Sequence, residues 1–223
     1  MNFFGHAALA ASHFSRAAPL LGAAELERAC AGAMLPDFIG MLGLGRPEVR
    51  DASLARGVSF HHRTDHAFHE LASFHELSRE SFAWLSERGL ARGPARAVAH
   101  IGVEILLDEV LADDHGARDA YRAALATSLT DALWFPAPQA GERLETLRQN
   151  LLERARAYST PSPELVAQRI RRSLAGRPRL ELDDAGEALL GHWVPSARPQ
   201  IRAVAPALLA ALRAQLANSE RAE

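Results

Sequence analysis

The sequence predicts an all-α protein. Alanine, leucine, arginine and glutamate, which favour helices, are abundant in the 223 residues, and runs of β-branched residues are absent. Short stretches containing glycine and proline interrupt the chain at spacings that suit helices. The chain shows no internal repeat, low-complexity segment or clear linker. We therefore expect one helical domain that spans residues 1–223.

Nine helices are expected in chain order. Their predicted ranges are 2–14, 23–35, 50–72, 73–88, 94–112, 115–129, 139–158, 162–175 and 183–215. The expected breakers are residues 43–47, 88–89, 93–94, 136–138 and 161–163. Pro94 and Pro163 fall where the first turn of a helix tolerates proline. Pro195 and Pro199 are expected to kink or split the last helix, and the tail from Asn218 is expected to fray.

Composition narrows the class of protein. With 48% apolar and 23% charged residues the chain reads as globular, and a net charge of −2 gives no drive towards nucleic acid or acidic lipid. No apolar run reaches the roughly 18 residues of a membrane span. The apolar N-terminus has no basic region before it and is interrupted by His6, so we interpret it as a core helix and not a signal peptide. The single cysteine, Cys30, excludes an internal disulfide framework. We expect a soluble, cytoplasmic protein.

A histidine-rich stretch, FHHRTDHAFHEL, raises the question of a metal site. It holds four of the ten histidines of the chain, around one aspartate. Each helical residue turns by about 100°, so Asp65 lies about 40° and His69 about 80° from His61. His62 falls on the same arc and His66 at its edge. The stretch is either a metal site or a solvated helix face that is rich in histidine by accident.

A second segment repeats this spacing. His100, Glu104 and Asp108 are four residues apart in AVAHIGVEILLDEVL, among apolar neighbours. Polar groups on a mostly apolar helix are costly to bury unless they are paired or metal-bound. Two such helices favour metal-ligand roles for His61, Asp65, Glu104 and Asp108. The additional candidates are His62, His69 and His100.

Five short blocks then match, in order, the pattern of a known family. They are MNFFGHAALA (1–10), GAMLPDF (32–38), GVSFHHRTD (57–65), GVEILLDEVLA (102–112) and AGRPRL (175–180). Together they resemble the acyl carrier protein phosphodiesterases. That family is helical and related to the metal-dependent HD phosphohydrolases, so the resemblance implies an HD-type helical bundle.

The resemblance also implies an activity and a site. The activity is removal of the 4′-phosphopantetheine arm from holo acyl carrier protein, helped by a divalent ion, typically Mn²⁺, with Fe²⁺, Mg²⁺ and Zn²⁺ as alternatives. Asp37, Asp65 and Asp108 would carry the catalytic roles. The implied metal site is His6, Asp37, His61, Asp65, Glu104 and Asp108. We expect His6, Asp37, His61, Asp65 and Asp108 to converge on one pocket. Arg63, Arg177 and Arg179 would contact phosphate or the acidic carrier protein, or else belong to a solvated surface.

The chain departs from the family pattern at several of these positions. Glu104 replaces an aspartate, and Glu109 replaces the histidine that follows Asp108 in the family. Glu109 is turned by about 100° from the ligand face, so we expect it beside the site or at the surface and not as a ligand. Two alternatives therefore stay open. One is an HD-type phosphohydrolase that acts on a nucleotide or other small phosphoester, and the other is a helical binding protein that has kept the fold without catalysis.

Overall fold

A computed structural model describes residues 1–17, 21–156 and 159–219 of the chain. This part of the chain is nearly all helical, as predicted. The helices are α1 (Phe3–Ala17), α2 (Ala23–Leu42), α3 (Ala52–His69), α4 (Ala72–Glu87), α5 (Arg92–Leu111), α6 (His115–Ala126), α7 (Pro138–Arg156), α8 (Pro163–Leu174) and α9 (Asp184–Ser219). Two short strands that the sequence did not predict, β1 (Glu48–Val49) and β2 (Leu133–Trp134), pair antiparallel.

The predicted helices are found, but several ends differ. The largest difference is at the C-terminal end of α2. This helix was expected to stop before Pro36 and instead continues to Leu42. It ends at Gly43, whose left-handed backbone (φ 58°) favours glycine and lets its N–H donate to the Gly40 carbonyl. Asp37 therefore lies inside a helix. The last two residues of the predicted helix 139–158 lie outside the described residues.

The long helix α9 is continuous, so the predicted split at Pro195 or Pro199 is wrong. Pro195, Pro199 and Pro206 all lie on the exposed face of the helix. Each proline removes one backbone hydrogen bond, but on this face water can replace it. The tail was expected to fray from Asn218, but Asn218 is still part of α9, which ends at Ser219. Residues 220–223 lie outside the described part. Although α9 has 36 residues, none of the described helices is both long and apolar enough to cross a membrane.

One compact unit consists of Met1–Asp65 and Leu111–Ser159. In it α1 packs against α2 and α6, and α6 packs against α7. Two glycines let α2 and α3 meet at their backbones. A Cβ atom on Gly32 would lie 2.1 Å from the Leu54 carbonyl oxygen, and one on Gly57 would lie 2.0 Å from the Ala29 carbonyl oxygen. Because no side chain fits there, this crossing places the next turn of α3 directly beside α2.

The other compact unit consists of His66–Val110 and Thr160–Glu223, so the division falls within α3. Here α9 packs against α4 and α8. The fully buried Trp193 ring lies against Gly102, where an added Cβ would be only 2.4 Å from the ring. Ser162 caps α8 and Pro163 follows at its first position, as predicted. The single domain over residues 1–223 stays a prediction.

Candidate metal centre

Three side chains from three helices converge in the first unit. His6 of α1, Asp37 of α2 and His61 of α3 each offer one ligand atom, and these atoms all lie within 4.8 Å of one another. Both histidines are buried and Asp37 is partly exposed. The two imidazole rings are 4.0 Å apart between centroids. Imidazole and carboxylate ligands suit Mn²⁺, Fe²⁺ or Zn²⁺, so this donor set fits a divalent transition-metal ion.

The tautomer of His61 is set by a backbone carbonyl. His61 follows Gly57 by one helical turn, and its Nδ1 lies 2.9 Å from the Ala33 carbonyl oxygen of α2. A carbonyl oxygen only accepts hydrogen bonds, so Nδ1 carries the proton and donates it. The Nε2 atom therefore carries the lone pair with which an imidazole binds a metal.

The tautomer of His6 is set in the same sense by Thr64. The Thr64 Oγ1 lies 2.9 Å from the carbonyl oxygens of both Phe60 and His61, so it donates its single proton to that pair. It can then only accept from His6 Nδ1, which lies 2.8 Å away. His6 Nε2 consequently carries a lone pair too. Metal-binding histidines typically make such a hydrogen bond through their second ring nitrogen.

Burial favours the neutral form of the His61 imidazole. It lowers the pKa of the His61 imidazole, although the hydrogen bond to Ala33 and the charge of Asp65 act in the opposite direction. A histidine must be unprotonated at the ligating nitrogen to bind a metal. The low pKa therefore favours the form of the ring that the site requires.

Asp65 lies beside this group but is not one of its three members. Its Oδ1 is 3.9 Å from His6 Nε2 and 3.7 Å from the amino group of Met1, and the side chain is 40% exposed. Asp65 is therefore a half-exposed carboxylate at the edge of the donor group. Its role as a ligand stays a prediction.

The other sequence candidates on this part of α3 face outward to different degrees. His62 is exposed and lies edge-on to the His61 ring, at 5.4 Å between centroids. Arg63 is half-buried, with its guanidinium 5.9 Å from the centroid of the Phe60 ring. His66, at the start of the second unit, is exposed. Neither His62 nor His66 belongs to a metal-donor group among the described residues. The contact of Arg63 with phosphate stays a prediction.

The second unit holds its own donor group, in which the predicted ligand Glu104 meets His69 and His100. The pKa of Glu104 lies well below its usual range. Burial by itself would raise it, and the hydrogen bonds with His100 and His69 are among the interactions that outweigh burial and favour the carboxylate. The sequence had assigned Glu104 to one site together with His61. Among the described residues two donor groups are found, one in each unit, and the assignment of Glu104 and His61 to one site stays a prediction.

Asp108 is buried one turn after Glu104 on α5 and belongs to neither group. Its predicted ligand and catalytic roles stay predictions. Arg177 and Arg179 are exposed in the segment between α8 and α9, and their contact with phosphate also stays a prediction.

Glu109 is not a ligand in either group, but the alternative expectation of a surface position is wrong. Its side chain is 3% exposed and forms a two-point ion pair with Arg198, at 2.9 and 3.2 Å. Arg198 also donates to the Pro161 carbonyl at 2.9 Å. Burial raises the pKa of Glu109, and Arg198 opposes this shift. The partner lies 89 residues away, so helix periodicity could not reveal it.

Sequence reasoning missed Thr64 as the group that orients His6. The only local signal was its position one turn after His61 on the same helix. Comparisons of the chain with protein-family models, with curated proteins and with solved structures found no match.

Proposed function

We propose that this protein is a metal-dependent phosphodiesterase. The observation that carries the proposal is the group of His6, Asp37 and His61, whose ligand atoms lie within 4.8 Å of one another and whose imidazoles both present Nε2. Two neutral imidazoles and one carboxylate would leave a divalent cation with net positive charge. Such a site attracts a phosphodiester, which is an anion.

The residues present fit the metal that the family resemblance implies. His6, Asp37 and His61 would hold the cation, while Thr64 and the Ala33 carbonyl keep the two rings in the required tautomer. When bound, a divalent cation lowers the pKa of a coordinated water and neutralises charge on a phosphoryl oxygen.

The proposed reaction is hydrolysis of a phosphodiester to a phosphomonoester and an alcohol. The water oxygen forms a new bond to phosphorus, the bond from phosphorus to the leaving oxygen breaks, and that oxygen takes up a proton. Asp65, half-exposed and next to His6, would orient the water or accept its proton. Asp37 would supply the negative charge among the three ligands.

For the substrate we propose the phosphodiester between 4′-phosphopantetheine and a carrier protein. The support is the resemblance of five sequence blocks and the match of His6, Asp37 and His61 to the family positions. The basic residues of the chain are all arginine, which binds phosphate in a two-point geometry and suits an acidic carrier protein. The HD-type arrangement of the helices is part of this proposal.

The test is hydrolysis of holo acyl carrier protein with Mn²⁺, followed by mass spectrometry of the carrier protein. We expect loss of the arm in the wild type, and little loss after chelation of the metal. Asp37→Asn should lower both metal content and turnover. Asp65→Asn should lower turnover, and its metal content tests whether Asp65 is also a ligand. Asp131→Asn, an exposed control in the same unit, should change neither.

The possible failures have separate meanings. Turnover of nucleotides or small phosphodiesters without turnover of holo carrier protein would leave the hydrolase class standing and overturn the substrate. Metal binding without hydrolysis of any phosphoester tested would overturn the enzyme and favour a binding protein. Unchanged metal content in Asp37→Asn would overturn the site itself.

A further inference from the structure

We infer that His69, His100 and Glu104 form a second site, which binds a divalent transition-metal ion. This inference is independent of the proposed phosphodiesterase activity. All three residues belong to the second compact unit, so the group is defined without reference to His6, Asp37 or His61.

The spacing of the three ligand atoms is that of ligands on one cation. His69 Nε2, His100 Nε2 and Glu104 Oε1 form a triangle in which each side measures 3.2 Å. With metal–ligand bonds of about 2.1 Å, neighbouring ligands at tetrahedral or octahedral angles lie about 3.0–3.4 Å apart. An ion just above the plane of this triangle would lie within metal–ligand bonding distance of all three atoms.

Hydrogen bonding alone accounts poorly for the same triangle. Each neutral imidazole Nε2 has either a proton or a lone pair. If both have protons, two N–H groups that lie 3.2 Å apart crowd against one carboxylate oxygen. If only one has a proton, the lone pair of the other ring faces the carboxylate. Each arrangement contains a repulsive contact, whereas a cation would attract the lone pairs of all three atoms.

The helices hold the three residues in place. His100 and Glu104 are one turn apart on α5, so they project from the same face. His69, at the end of α3, stacks on His100 with 4.9 Å between ring centroids and an angle of 16° between the planes. The Phe74 ring lies edge-on to both imidazoles, at 5.3 and 5.2 Å. This packing limits rotation of the rings and so preserves the geometry of the group.

The donor types indicate the class of metal and an open position. Two imidazoles and one carboxylate are the ligand set of catalytic zinc sites and of non-haem iron sites, and they disfavour Mg²⁺ and Ca²⁺. Glu104 is 13% exposed, whereas His100 is 45% exposed. The mostly buried Glu104 carboxylate would therefore bind the cation from the protein side. On the exposed side, near His100, a coordination position would be open to water or to a small ligand.

The test is the number of Zn²⁺ ions that the full-length protein binds, measured by elemental analysis and by calorimetric titration. Wild type should bind two ions, Glu104→Gln and Asp37→Asn one each, and the double variant none. The Zn²⁺ affinity of the second site should fall by about tenfold or more in Glu104→Gln and in His100→Ala. Mg²⁺ should not compete at this site.

Controls separate this site from general effects of histidine and carboxylate. Glu76→Gln and His192→Ala change exposed residues of the same unit and should leave both Zn²⁺ ions in place. His100→Ala alters a half-exposed side chain, so it keeps the test valid if Glu104→Gln does not fold. Zn²⁺ binding in His100→Ala and in Glu104→Gln that equals wild-type binding would overturn the inference. One ion in wild type and none in Glu104→Gln would keep the second site and overturn the first.

Discussion

At the scale of single residues, hydrogen bonds to the backbone determine what the candidate metal centre can bind. The Ala33 carbonyl and the Thr64 hydroxyl each accept a hydrogen bond from the Nδ1–H of one histidine, so both rings present Nε2. Neither partner would be recognised from a list of metal-binding residue types. Their effect is nevertheless chemical, because an imidazole that presents the wrong nitrogen does not ligate.

Thr64 should therefore control metal affinity without binding the metal. Thr64→Val keeps the shape of the side chain but removes the oxygen that accepts from His6. We expect metal affinity at the first site to fall by about 10- to 100-fold in a calorimetric titration. Thr64→Ser should restore most of the affinity, and Thr146→Val, at an exposed position, should have no effect. Wild-type affinity in Thr64→Val would show that Thr64 does not orient the ring.

Cys30 should be chemically inert in the native protein. Its side chain is 1% exposed, and burial raises the pKa of the thiol from 9.0 to about 12, with a smaller contribution from Glu27. The thiolate is the reactive form, so a thiol reagent should label the native protein far more slowly than the unfolded protein. Rapid labelling of the native protein at pH 8 would contradict the buried position.

The same shift predicts a pH dependence of stability. A raised thiol pKa contributes stability that is fully present below pH 9 and is lost as the pH rises from 9 towards 12, because only the unfolded chain ionises there. Cys30→Ala should lose less stability than wild type between pH 8 and pH 10 in urea unfolding.

At the scale of elements, the crossing of α2 and α3 brings the donor residues together. Gly32 and Gly57 remove the side chains that would hold the helices apart, and His61 then meets the Ala33 carbonyl one turn further on. The helix ranges themselves follow closely from local sequence, since periodicity and breakers are local properties. The extension of α2 through Pro36 does not, because burial of residues such as Phe38 outweighs the cost of a helical proline.

Replacement of Gly32 should test this crossing. Gly32→Ala places a Cβ atom 2.1 Å from a backbone oxygen that cannot move aside, so we expect a loss of more than about 3 kcal/mol in the free energy of unfolding. Gly40→Ala, on the same helix with nothing within 4 Å, should be neutral or stabilise by about 0.5–1 kcal/mol. Urea denaturation of both variants measures the difference. Similar stabilities would mean that the helices do not touch at Gly32.

At the scale of the whole molecule, contacts between distant parts of the chain decide the surroundings of charged residues. Glu109 and Arg198 are 89 residues apart and form a buried ion pair in the second unit. Burial nevertheless raises the pKa of Glu109, so the pair does not fully offset the cost of removing the carboxylate from water. The pair is consequently a structural feature that depends on both partners.

Loss of one partner should cost more than loss of both. Glu109→Ala leaves Arg198 without its carboxylate and should lower the free energy of unfolding by about 3 kcal/mol, while metal content stays close to wild type. The double variant Glu109→Leu/Arg198→Met should recover most of that stability. Thermal melts and elemental analysis measure both effects. A large loss of metal in Glu109→Ala would make Glu109 part of a metal site.

The sequence by itself determined the helical class, the approximate helix ranges and most of the donor residues. The helical class and the ranges depend on local composition and on 3.6-residue periodicity. The spacing of histidines and carboxylates along a helix indicated His61, His69, His100 and Glu104, whereas the family resemblance alone implied His6 and Asp37. Tertiary structure alone decided which donors meet. It brought His6, Asp37 and His61 together from three helices, and it grouped Glu104 with His69 and His100. The physical reason is that metal ligation requires atoms within a few ångströms, and that proximity comes from how helices pack against one another.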